Sequence, residues 1–173
     1  MERNMTQLNE YIIPIGGLAL GHHEFTYSID KSFFEDMDNS EVEDCKVEIQ
    51  VRAEKQAAMV VVAFEQKGSV QLNCDRCGDV YDHSIDATNQ LVIKLHDTNV
   101  NDTDDVVILD DLDNRFDLTH YFYEYIHLQI PLKRLHKDAE CNPEVLRKLE
   151  ELQGANNDPA YVDPRWEGLK NYN

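Results

Sequence analysis

Apolar and polar residues alternate with period two at Val47, Ile49 and Val51 against Glu48, Gln50 and Arg52, which predicts a strand with one solvated face. The run Met59–Phe64 is apolar at consecutive positions and predicts a more fully buried strand. Lys67-Gly68 reads as a turn, and Val70-Gln71-Leu72 leads directly into Cys74. Val80-Tyr81 and Leu91–Leu95 continue the same pattern. Short strands joined by short polar turns predict an antiparallel meander over residues 45–95. Upstream, Tyr11–Ile15 predicts an edge strand interrupted by Pro14, Gly16-Gly17 a turn, and Phe25–Ile29 a second strand. His22 and His23 are adjacent, so on a strand they face opposite sides and make a poor joint metal clamp. Asp30 suits an N-cap for a short helix carrying Phe33 and Phe34, and Met37–Asp44 reads as an acidic connector.

Past residue 116 the period changes. Leu118, Tyr121, Phe122, Tyr125 and Ile126 form one stripe of a helix capped by Asp117. That helix ends before Pro131, which disfavours helical geometry at Ile130, and His120 and His127 lie on its surface. Asn142-Pro143 reads as N-cap and first helical residue. Val145, Leu146, Leu149 and Leu152 follow as an apolar face, with Gly154 as C-cap. The fold class is therefore α+β: an antiparallel β-meander sheet packed by two or three helices, with the cysteine turn at one end. One domain is expected over residues 1–154. Residues 155–173 read as a flexible tail, with Asp163-Pro164-Arg165-Trp166 opening a short helical segment.

Three of the four cysteines gather in two short stretches, Cys74-Asp75-Arg76-Cys77-Gly78 and His136-Lys137-Asp138-Ala139-Glu140-Cys141. C-x2-C before glycine is a tight turn that presents two thiolates to one metal ion, and zinc's four positions can be completed by His136 and Cys141. Small buried thiols of a reduced protein account for the same cysteines without a metal. A thioredoxin-like pair is disfavoured, because that chemistry needs the motif to open a helix, whereas Gly78 and a strand follow here. Between Asn99 and Asn114, Asp102, Asp104, Asp105, Asp110, Asp111 and Asp113 surround the apolar Val106–Leu109. A strand with acidic flanks is expected, since the spacing of a calcium loop is missing.

Sixteen Lys plus Arg against thirty-four Asp plus Glu give a formal charge of −18. Such a surface repels polyphosphate over most of its area and suits a basic protein partner. No apolar run approaches the roughly 20 residues that a membrane helix needs, and the polar stretch Met1–Tyr11 has no signal-peptide core. The cysteines do not look like a disulfide framework. A cytoplasmic protein is the expectation.

Taken together, the Cys74–Gly78 turn, the helix from Asp117 to Gln129 running into Ile130-Pro131-Leu132, His136 followed by Cys141, and the Asp163-Pro164-Arg165-Trp166 tail with Leu169 resemble the YceD family. These are the large ribosomal RNA subunit accumulation proteins. The resemblance covers roughly Val70 to Leu169 and rests on the order and spacing of four features. It implies an acidic cytoplasmic protein with a role in ribosome biogenesis, and brings with it no catalytic residues and no zinc.

Three classes of function follow. The leading one is a non-enzymatic assembly factor for large-subunit rRNA, binding either a basic ribosomal protein or precursor rRNA. The rRNA variant places phosphate contacts on Arg76, Lys133, Arg134, Lys137 and Arg165, with Trp166 or Tyr161 for base stacking; solvated cations and a packed Trp166 are the plainer reading. A metal-dependent hydrolase or nuclease is the second class. Its carboxylates could hold Mg2+, but no phosphate-cradling glycine loop, nucleophile motif or small-molecule site is evident. The third is a purely structural scaffold stabilised by zinc.

Overall fold

The computed structural model describes residues 11–35, 37, 41–95, 106–109, 115–136 and 140–156, with side chains through residue 152. The acidic flanks of Val106–Leu109, Lys137, and the tail from residue 157 with Arg165 and Trp166 lie outside the described residues. Two compact units are present. The first comprises Met1–Asn73 with Val80–Arg134, and the second Cys74–Asp79 with Leu135–Asn173. Among the described residues no helix is long and apolar enough to cross a membrane.

The first unit is built on a five-stranded sheet in the order β2-β3-β4-β5-β6. Its strands are β2 (Gly21–Asp30), β3 (Val42–Lys55), β4 (Met59–Asn73), β5 (Val80–Leu95) and β6 (Val106–Leu109). The α+β class and the antiparallel ladder of β2 to β5 agree with the sequence pattern. The strands are longer than the pattern suggested, and β6 pairs parallel to β5, Val92 opposite Val106 and Leu95 opposite Leu109. The sheet is thus mixed at that edge, not a pure meander. Val42–Asp44, read as connector, already belong to β3.

Lys67-Gly68 is not a turn. Gly68 lies inside β4, opposite Val47 on β3 and Ile85 on β5. A Cβ there would run into the carbonyl oxygen of Lys46 and lie 2.7 Å from the Cα of Val47, so the glycine permits close approach of two backbones. The predicted breaks inside β5 are also absent. Val80–Leu95 is one strand, although its inward row includes His83, Ala87 and Asn89 where long apolar residues would be expected. Its pairing runs from Asn73 opposite Val80 to Met59 opposite Lys94.

One face of the sheet is buried. Val47, Ile49 and Val51 of β3, Val60, Val62, Phe64 and Leu72 of β4, and Leu91 and Ile93 of β5 form its inward rows. The alternation persists through Met59–Phe64, where Val61 and Ala63 on the outer row are only half-buried. That segment is therefore half-solvated like its neighbours, not fully buried. The helix α2 (Thr119–His127) covers the inward face. Its stripe is the predicted one, with Leu118, Phe122, Tyr125 and Ile126 buried. The ring of Phe122 lies 6.1 Å from that of Phe64, 5.2 Å from Tyr27 and 5.7 Å from Tyr11.

The carboxylate of Asp117 accepts a hydrogen bond from the Thr119 backbone N–H at 2.8 Å. Past the helix, His83 on β5 bonds through Nε2 to the Gln129 carbonyl at 3.0 Å. Pro14 limits the first predicted strand to β1 (Ile12–Ile13), which pairs with β7 (Phe116–Asp117), and a 3-10 turn follows. Asp30 caps the short helix α1 (Lys31–Glu35), accepting from the Ser32 N–H at 2.9 Å. In the second unit α3 spans Pro143–Asn156. It continues through Gly154, which is therefore not its C-cap.

The Gly68 contact makes a direct prediction. Gly68→Ala should lower the unfolding free energy by about 1–3 kcal/mol, since no flexible side chain can give way. Gly17→Ala, with nothing within 4 Å of the added atom, should change it little. Urea midpoints of the two variants check this; equal midpoints would remove the close-approach argument.

Candidate metal centre

The second unit begins where β4 ends. The chain turns tightly after Asn73: the Cys74 N–H donates to the Asp79 carbonyl and the Gly78 N–H to the Cys74 carbonyl, both at 2.9 Å. Gly78 sits at φ +80°, in the left-handed region, which glycine adopts at low cost. The turn directs Cys74 and Cys77 to the same side. His136 and Cys141 come from the later segment, and Cys141 stands just before α3. The Asn142 side chain caps that helix, its Oδ1 accepting from the Glu144 N–H at 3.1 Å.

The ligand atoms of Cys74, Cys77, His136 and Cys141 all lie within 4.8 Å of one another. His136 Nε2 is 3.0 Å from Cys77 Sγ. A tetrahedral ion bound at about 2.3 Å from each sulfur separates its ligand atoms by roughly 3.8 Å, so the four fit around a single centre. Cys74 and Cys141 are buried, whereas Cys77 and His136 are half-buried as residues. The group could hold a metal such as zinc.

The electrostatics favour thiolates at two of the three cysteines. At Cys77 the backbone N–H of Asn142 points to the sulfur, joined by that of Asp79, and together they hold the thiol below its ordinary range against the effect of burial. Burial pushes the Cys74 thiol up, but the N–H groups of Cys77, Arg76 and His136 outweigh it and leave the thiol lowered. Cys141 is pushed up to about 11, first by burial and then by the neighbouring Cys77 and Cys74. Such donors favour the charged form, the one that binds metal. Cys45, the fourth cysteine, is buried in β3 of the first unit, and burial raises it to about 12.

The remaining predicted site residues are placed separately. Arg76 is half-buried in the second unit, between the two ligands of the turn. Lys133, exposed, and Arg134 belong to the first unit. Arg134 is ion-paired through Nη1 to Glu41 Oε2 at 2.7 Å, a partner the sequence did not suggest. Asn142 was readable only as a helix cap, and its N–H bond to Cys77 depends on how the chain returns.

The family model described as Large ribosomal RNA subunit accumulation protein YceD matches residues 62–172. That span contains the four clustered residues. No curated protein and no solved structure matches the chain.

In metal-free protein near neutral pH, iodoacetamide should label Cys77 first. Cys141 should follow slowly, and Cys45 only on unfolding, because the thiolate is the reacting species. Peptide mass spectrometry over a time course checks the order, and early labelling of Cys45 would contradict it.

Proposed function

We propose that the chain, which belongs to the YceD family of large ribosomal RNA subunit accumulation proteins, acts as a non-enzymatic ribosome biogenesis factor that holds a structural zinc ion and binds a ribosomal component. The observation that carries the zinc reading is the complete Cys3His set in the second unit. Three sulfurs and one imidazole suit zinc, and four protein ligands leave no position for a reactive water. Zinc would supply a crosslink between the turn and the segment 136–141. Cys74 and Cys77 present thiolates steadied by backbone N–H groups, while His136 and Cys141 close the ligand set. Ribosome production also accords with the cytoplasmic setting expected from the sequence.

A basic ribosomal protein is the favoured partner. The formal charge is −18, and the outer row of the sheet exposes Glu24, Glu48, Asp82 and Asp86. Arg134, one of the residues expected to contact phosphate, instead neutralises Glu41. Charge complementarity of this kind speeds association and is screened over about 8 Å at physiological ionic strength.

Purified protein should contain about one zinc per chain, and Cys74→Ser should abolish it and destabilise the second unit, since metal binding is coupled to folding. Elemental analysis and melting curves check this; metal-free protein with unchanged melting would leave three core thiols. For the partner, the combined Lys133→Glu and Lys137→Glu variant should retain the captured ribosomal protein, and added salt should weaken that capture. If the variant instead loses precursor rRNA, with the salt slope falling by about one unit per lost phosphate contact, direct RNA binding is the mechanism.

A further inference from the structure

The cluster proposed to hold zinc also contains a dithiol arranged for oxidation. We propose that Cys77 is a modification site for hydroperoxides, and that its oxidation ejects the zinc ion by forming a Cys74–Cys77 disulfide. The inference rests on the zinc reading above.

Position within the cluster singles out Cys77. All four ligand groups of the cluster are buried, but Cys77 is the half-buried residue among the three cysteines while Cys74 and Cys141 are buried, so a small oxidant has the shortest way in to Cys77. Its resolving partner is next to it in the chain. Cys74 and Cys77 occupy one turn, closed by the Gly78 N–H to the Cys74 carbonyl at 2.9 Å, and their sulfurs lie within the 4.8 Å cluster. Joining them to a bond of about 2.05 Å requires only a small movement. Cys141 would have to move together with the start of α3.

The chemistry balances with a hydroperoxide as the two-electron oxidant. The Cys77 thiolate attacks the peroxide, an S–O bond forms as the O–O bond breaks, and a proton converts the departing oxygen to water or alcohol. The Cys74 thiolate then attacks the Cys77 sulfenic acid, and the S–O bond breaks with a second proton to release water. Two thiolates are oxidised to one disulfide and the peroxide is reduced. Zinc retains only His136 and Cys141, too few protein ligands for a structural site. A dithiol reductant reverses the exchange and restores the ligands. Metal occupancy of the second unit would thereby follow the redox state of the cell.

The test uses the full chain as purified with zinc. Graded hydrogen peroxide is added in the presence of a chromophoric zinc chelator, with parallel thiol counts and trypsin digestion. Trypsin cleaves after Arg76, between the two cysteines, so the disulfide appears as two fragments held together and lighter by two hydrogens. The expected result is one zinc released for every two thiols lost, with those fragments linked, and recovery of both zinc binding and thiols on adding dithiothreitol. Zinc retained at peroxide levels that consume free cysteine would overturn the inference while leaving coordination standing. So would release accompanied by a Cys77–Cys141 link or by sulfinic acid at Cys77. Protein that contains no zinc before peroxide is added would refute the coordination reading itself, and the two failures are told apart by that first measurement.

Discussion

The ladder between β4 and β5 is the constraint on which most of this structure depends. It runs from Met59 opposite Lys94 to Asn73 opposite Val80 without a shift in register. β4 is paired with β3 along almost the same length, so its backbone polar groups are largely satisfied on both sides. Because the side-chain period is two, this register decides which face of every strand is buried. It also decides where the cysteine turn begins and ends: residues 74–79 leave and rejoin the ladder at one pair, Asn73 and Val80.

At the turn, hydrogen bonding gathers the same side chains that could hold a metal. Backbone N–H groups of the turn donate to the cysteine sulfurs, and two further donors come from His136 and Asn142 in the later segment. Burial first, and then the neighbouring Cys77 and Cys74, raise the Cys141 thiol. A divalent cation such as zinc would be held by the same sulfurs, which all lie within the 4.8 Å cluster. The chain carries a formal charge of −18, and some cations of β3 and β4 are paired with neighbours, as Arg52 is with Glu65 at 3.2 Å.

The helix α2 and the inward row of β3 were legible because their periodicity is strong. The stripe Leu118, Phe122, Tyr125 and Ile126 is buried as its spacing required. Gly68 misled for a physical reason: glycine marks turns through its dihedral freedom, but it also marks places where two backbones approach. Local reading cannot separate the two uses. The middle of β5 was missed because Asp82, Ser84, Asp86 and Thr88 have little strand signal of their own and are held by pairing with β4. The parallel placement of β6 was equally invisible, since four apolar residues look the same in either direction.

For the candidate centre, residue chemistry and spacing in the sequence determined which side chains could serve as ligands: C-x2-C-G makes a turn with two thiolates, and His136 and Cys141 are the donors available to complete it. Whether the two stretches meet depends on long-range pairing and on the path after Pro131. Only the tertiary structure decided that, by bringing four ligand atoms within 4.8 Å. The basic stretch shows the opposite outcome. Its charges were evident in the sequence, but the partner of Arg134 was not, because Glu41 lies too far from it in sequence for any local pattern to link them.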